Sequence, residues 1–210
     1  MFGLPTETET DLDAMVDLIG RIYTFGKGFR RDIAINLSIN PFVPRPDTPF
    51  QWCPQETLES YNAKIDHLRN CFRAFKGKLH VDFGYPRIAF LEVLLSRGDR
   101  SVSGVIETAW KNGAKFDAWR ESFKFDVWQQ AIATSGLEPA DFLYRSIPLH
   151  DELPWQVVDA GVSTDFLRQE YLSAENGERL PTCRETGCHA CCVQEYMNPC
   201  PTSLLDPRNP

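Results

Sequence analysis

The chain has 210 residues, 42% of them apolar and 12% aromatic, with a net charge of −7. That composition is globular rather than disordered, and the length suits one or two domains. The acidic balance disfavours non-specific nucleic-acid binding, because phosphate backbones are repelled.

Residues Met1 to Thr10 carry neither a basic n-region nor an apolar h-region, and no apolar run approaches the ~18 residues of a membrane span. A cytoplasmic protein with no membrane partner is expected. In that compartment thiols stay reduced, so the seven cysteines are expected free or metal-bound rather than paired. Lys27, Arg30 and Arg31 form a small basic cluster that reads as a solvated turn.

Gly3-Leu4-Pro5 reads as the turn that leaves a buried strand. Leu12, Met15, Val16, Ile19 and Ile22 then recur at helical spacing, with Thr10 as N-cap and Asp11 and Asp13 favourable to the helix dipole. Ile33, Ile35, Leu37 and Ile39 alternate with Ala34, Asn36, Ser38 and Asn40, the period of a strand with one apolar face. The prolines from Pro41 to Pro54 predict a stiff, extended stretch outside any sheet. Leu58, Tyr61, Ile65, Leu68, Phe72 and Phe75 mark a second helix, and Leu79 to Phe83 a second strand. Helix, strand, helix, strand is an α/β order.

From about Pro86 the chain reads as short helices. Gly98, Gly113, Gly136 and Gly177 each follow an apolar periodic segment, where a left-handed residue ends a helix. Ser163 is a suitable N-cap for the helix bearing Phe166, Leu167 and Tyr171. Trp110, Trp119, Trp128 and Trp155 are expected to pack in the core. Past Leu180 the apolar period stops and the chain turns rich in Cys and Pro.

The common nucleotide-binding and hydrolase fingerprints are absent, and of four histidines only His189 lies beside other ligand types in sequence. Cys71 lies next to Phe72 on a helix and reads as core. Cys183, Cys188, Cys191, Cys192 and Cys200 instead form a C-x4-C-x2-C array with two further thiols. Thiolates so close in sequence converge on one soft metal at little loop-closure cost. Cys183, Cys188, Cys191 and Cys200 form the best four-ligand set, with Cys192 or His189 as substitutes. Either zinc or an iron–sulfur cluster suits it.

Phe2-Gly3-Leu4-Pro5-Thr6-Glu7-Thr8, followed by an Asp-rich helix, resembles a late strand end of radical S-adenosylmethionine proteins. Ile35 to Val43 and the Arg45-Pro46-Asp47 to Trp52 stretch are similar to the last core strand and exit loop of one branch. That branch comprises the cobalamin-binding-domain members often labelled Fe-S oxidoreductases. Leu95-Ser96-Arg97-Gly98-Asp99-Arg100, Ala109 to Ala114, Leu153-Pro154-Trp155 and the Cys183-to-Cys191 tail resemble its C-terminal region.

The resemblance implies an α/β fold followed by an α-helical region. In detail it implies the C-terminal portion of a partial (β/α)6 radical SAM barrel over residues 1–85, a helical extension over 86–178 and a Cys-rich metal-binding tail over 179–210. Gly3, Pro5 and Glu7 would lie by the adenosine, and Asn36 and Ser38 would face the barrel lumen. The family's C-x3-C-x2-C cluster loop and cobalamin domain are not in this sequence. Met1 therefore reads as an internal methionine of a larger enzyme that uses a 4Fe–4S cluster, S-adenosylmethionine and cobalamin. The expected partner is a separately encoded N-terminal half, without which the chain is expected to be inactive. The other reading is a non-enzymatic module with a structural zinc tail.

Overall fold

The computed structural model describes residues 1–30, 32–182 and 185, in two compact units. The Cys183, Cys188, Cys191 and Cys200 set, with Cys192 and His189, lies outside the described residues.

The first unit comprises residues 1–43 and 54–145. Helix α1 (Glu9–Phe29) leads to strand β1 (Ile35–Ile39), helix α2 (Leu58–Phe72) and strand β2 (Leu79–Phe83). β1 and β2 are parallel, with Asn36 opposite His80 and Ser38 opposite Asp82. Phe2 adds a parallel bridge to Pro41: its N–H donates to the Asn40 carbonyl at 3.1 Å, and its carbonyl accepts from Phe42 N–H at 2.7 Å. Sequence reasoning excluded the proline stretch from any sheet, yet Pro41 takes part here. In a parallel bridge the bonds run to the neighbours of the facing residue, so Pro41 needs no donor towards Phe2.

On its other side the missing donor ends the ladder. Gly84 N–H donates to Ile39 at 2.9 Å, and the next bond would have to come from the Pro41 nitrogen. At Gly84 the backbone runs close against Asn40 and Pro41. A Cβ there would sit 2.7 Å from Pro41 Cδ and 3.0 Å from Asn40 Cα.

Thr8, two residues before the predicted Thr10, caps α1: the Asp11 carboxylate accepts from Thr8 N–H at 2.8 Å and Thr8 Oγ1 at 2.7 Å. Leu12 and Ile19 of α1 are buried with Phe2, Ile39, Tyr61, Ile65, Leu68 and Phe72. Ile22, which shares the helical spacing of Leu12 and Ile19, is 50% exposed and belongs to an outward stripe with Leu18, Phe25 and Phe29. The stripe recurs at steps of three and four, so periodicity alone could not tell it from the buried face.

Helices α3 (Pro86–Arg97), α4 (Val102–Lys111), α5 (Phe125–Ser135) and α6 (Ala140–Leu143) enclose a second apolar cluster that includes Val93, Leu94, Val105, Trp128 and Leu143. Gly113 and Gly136 have φ of 93° and 69°, as left-handed helix ends require. Gly98 differs from expectation: its φ is −69°, and it is needed because a Cβ would lie 2.6 Å from the Leu94 carbonyl oxygen. Trp110 and Trp119, expected in the core, are 60% and 62% exposed; α4 buries Val102, Val105 and Ala109 on its opposite face.

The second unit joins residues 44–53 to the described residues from Ser146 onward. Trp52, Leu153, Trp155 and Leu167 form its core. Ile147 N–H donates to Trp52 at 2.9 Å. Buried Gln51 accepts from Trp155 Nε1 at 2.7 Å and from Asp47 N–H at 3.0 Å. Helix α7 (Thr164–Glu175) starts at Ser163, whose hydroxyl accepts from Phe166 N–H as its sequence position predicts.

Candidate functional site

The strand alternation places Leu37, Ile39, Val81 and Phe83 against the helices and leaves Asn36, Ser38, His80 and Asp82 exposed on the opposite face. Because β1 and β2 are in register, the four polar residues form two facing pairs. They line an open cavity of about 690 Å³. Asn40 Nδ2 lies 3.5 Å from Ser38 Oγ at the end of β1. Arg120 lies 3.7 Å from Asp82 and stacks over Tyr85, 4.6 Å from the ring centre. This face therefore offers an amide, a hydroxyl, an imidazole and a carboxylate, with a guanidinium at its margin. His80, Asp82 and Arg120 are the members that sequence reasoning missed; the period-two pattern of Leu79 to Phe83 already put His80 and Asp82 on one face.

Gly3, Pro5 and Glu7 lie where the chain leaves the Phe2 bridge. Gly3 has a φ of 83°, and a Cβ on it would come within 2.3 Å of Tyr61 Cε1, so its missing side chain is filled by a tyrosine ring. Pro5 is exposed. The Glu7 side chain is only 6% exposed. Its Oε1 accepts from Gly3 N–H at 2.9 Å and from Lys64 Nζ at 2.7 Å. Lys64 also binds Glu56, which accepts from Ser60 Oγ at 3.0 Å. Burial pulls the Lys64 ammonium down, but the bonds and attraction of Glu56 and Glu7 outweigh it and hold the pKa above the usual lysine value. Lys64 and Glu56 were not picked out in the sequence, since Lys64 stands 57 positions from Glu7.

Tyr61 fastens this corner. Its hydroxyl donates to the Phe42 carbonyl at 2.6 Å, and its ring meets Phe2 edge-on at 5.3 Å. Burial raises its pKa well above the ordinary phenol value, with the Glu56 charge adding to the effect. Beside it, Glu7, Glu9, Leu12, Lys64 and His67 line a cavity of about 240 Å³.

Among the described residues, one group brings metal-ligand atoms together: Asp13, His67 and Cys71, all within 4.8 Å of one another. The sequence pattern of histidines singles out His189 alone. Cys71 is half-buried beside His67 rather than in the core, and Cys53 is buried in the second unit. A group with a single thiol does not fit a 4Fe–4S cluster, which takes four thiolates. Asn36, Ser38, His80 and Asp82 instead offer hydrogen-bond donors and acceptors side by side on one open face.

No family model matches the chain, and no solved structure matches it. It is similar to an archaeal protein of Methanocaldococcus jannaschii described as "Uncharacterized protein MJ0966", with 26% identity over 107 residues. That match covers 51% of this chain and 22% of the relative, so the chain spans about a fifth of that protein's length. Among the described residues no helix is long and apolar enough to cross a membrane.

Proposed function

We propose that the chain supplies the last α/β elements of a radical S-adenosylmethionine enzyme, and that the polar face of β1 and β2 binds S-adenosylmethionine. The reading is supported above all by one observation: two parallel strands set Asn36, Ser38, His80 and Asp82 in register on an open face. Open parallel sheets bind ligands near the carboxyl ends of their strands, and Asn40, Gly84 and the Gly3–Glu7 turn lie at those ends here. Asn36 and Ser38 donate to and accept from the ligand's ribose and base, and the Asp82 carboxylate suits its sulfonium and ammonium charges. Glu7 acts from behind, holding the turn through Gly3 and Lys64. When bound, S-adenosylmethionine would supply an adenosyl radical on one-electron reduction, its C–S bond breaking and methionine leaving; a partner half would hold the cluster that donates the electron.

The test is amide NMR of the full chain titrated with S-adenosylmethionine. Shift changes confined to β1, β2 and the Gly3–Glu7 turn, and lost in Asn36→Ala/Ser38→Ala, are expected. A spectrum unmoved by the ligand, or moved equally in the double variant, rejects the reading.

A further inference from the structure

Helix α1 carries Glu9 and Asp13 one turn apart, and α2 carries His67 and Cys71 one turn apart. The two helices pack on one another, so the two pairs meet. Asp13 Oδ1 lies 2.9 Å from His67 Nε2, and Cys71 Sγ lies 3.7 Å from the same nitrogen. On the other side of the ring, Glu9 Oε1 lies 3.8 Å from His67 Nδ1.

Three chemically different ligand atoms, the ring nitrogen among them, thus lie together. A tetrahedral zinc ion with ordinary bond lengths separates its nitrogen, oxygen and sulfur ligands by about 3.4–3.6 Å. The observed 2.9 and 3.7 Å lie on either side of that range, so small rotamer shifts admit an ion. The 2.9 Å contact is a hydrogen bond between His67 Nε2 and the Asp13 carboxylate, and a bound ion would take the place of its proton. Metal-bound histidines commonly donate their second nitrogen to a carboxylate, and Glu9, 3.8 Å from Nδ1, is near enough to take that place on a small side-chain shift. Asp13 is 60% and His67 31% exposed, so an ion can reach the site and keep a water as a fourth ligand.

We propose that Asp13, His67 and Cys71 form a binding site for a divalent cation of the zinc class, with Glu9 positioning His67 and water completing the tetrahedron. Binding displaces the Cys71 thiol proton to solvent and leaves the thiolate on the metal, with no change of oxidation state. The ion cross-links α1 to α2 behind the sheet. This site is separate from the polar sheet face and does not depend on the function proposed for it.

The test is cobalt(II) titration of the full chain carrying Cys183→Ser, Cys188→Ser, Cys191→Ser, Cys192→Ser and Cys200→Ser, so that tail thiols do not contribute. One equivalent of cobalt with a thiolate-to-metal charge-transfer band, displaced by zinc, is expected. Adding Cys71→Ser abolishes the band, and Asp13→Asn, at a position 60% exposed, weakens binding. Glu9→Gln weakens it about tenfold, the low end for such a partner of a ligating histidine. In the chain with its tail cysteines intact, Cys71→Ser lowers bound cobalt by one equivalent. A missing charge-transfer band, or cobalt binding unchanged by both Cys71→Ser and Asp13→Asn, overturns the site.

Discussion

Replacing Lys64 by methionine tests the polar corner at the end of the Phe2 bridge most sharply. Methionine keeps the length of the stem and removes the charge that holds Glu7 and Glu56. Losing one partner of a fully buried ion pair costs about 3–5 kcal/mol, because the remaining charge stays desolvated. Here Glu7 is 6% exposed, but Lys64 and Glu56 are 16% and 24% exposed and keep some water. We therefore expect about 2–3 kcal/mol, just below the buried range. Hydrogen exchange along α2 reads this directly: amides that open with the first unit should exchange about 30- to 140-fold faster. Glu7→Gln added to Lys64→Met should recover at least half of the loss, since a glutamine oxygen still accepts from Gly3 N–H without a charge. Exchange within threefold of the original chain would refute the argument. An equal loss with and without Glu7→Gln would show that the Lys64 stem, not its charge, matters.

Three other outcomes are expected. Gly3→Ala forces a side chain into a left-handed backbone and against Tyr61, and should cost about 1–3 kcal/mol, seen as a lower urea midpoint. Tyr61→Phe loses the bond to Phe42 and should cost about 1 kcal/mol at neutral pH. Because burial raises the Tyr61 pKa in the folded state, its contribution is complete below about pH 10, the unfolded value, and falls as pH rises towards the folded one. Urea midpoints taken on either side of that value should thus drop less in Tyr61→Phe than in the original chain. Finally, iodide should quench the fluorescence of Trp110 and Trp119 and spare Trp52, Trp128 and Trp155, as single-tryptophan variants can verify.

Much of the scaffold could be read from the chain, and the reasons are local. The Leu58-to-Phe72 period, the two alternating strands, the Ser163 cap and the left-handed glycines 113, 136 and 177 depend on neighbours in sequence. The alternation that defined β1 also put Asn36 and Ser38 on the polar face. What sequence reasoning missed is joined across distance. His67 meets Asp13 across 54 positions, and Trp155 meets Gln51 across 104. The two pairs one turn apart, Glu9 with Asp13 and His67 with Cys71, were the available signal, but only tertiary packing reveals that they face one another. The exposed Trp110 and Trp119 failed a different assumption, that a large aromatic is buried; α4 satisfies its core with small and branched residues instead.

Pro41 and Gly84 govern more than the end of a ladder. A slip of β2 by one position would bring Phe83 or Tyr85 to the point where even a methyl group meets Pro41 Cδ at 2.7 Å. The same slip would turn His80 and Asp82 inward and Val81 and Phe83 out to water. A ring without a donor and a residue without a side chain thus act together as a proofreading stop during folding. They admit one alignment of the two strands, and with it one chemical identity for the exposed face.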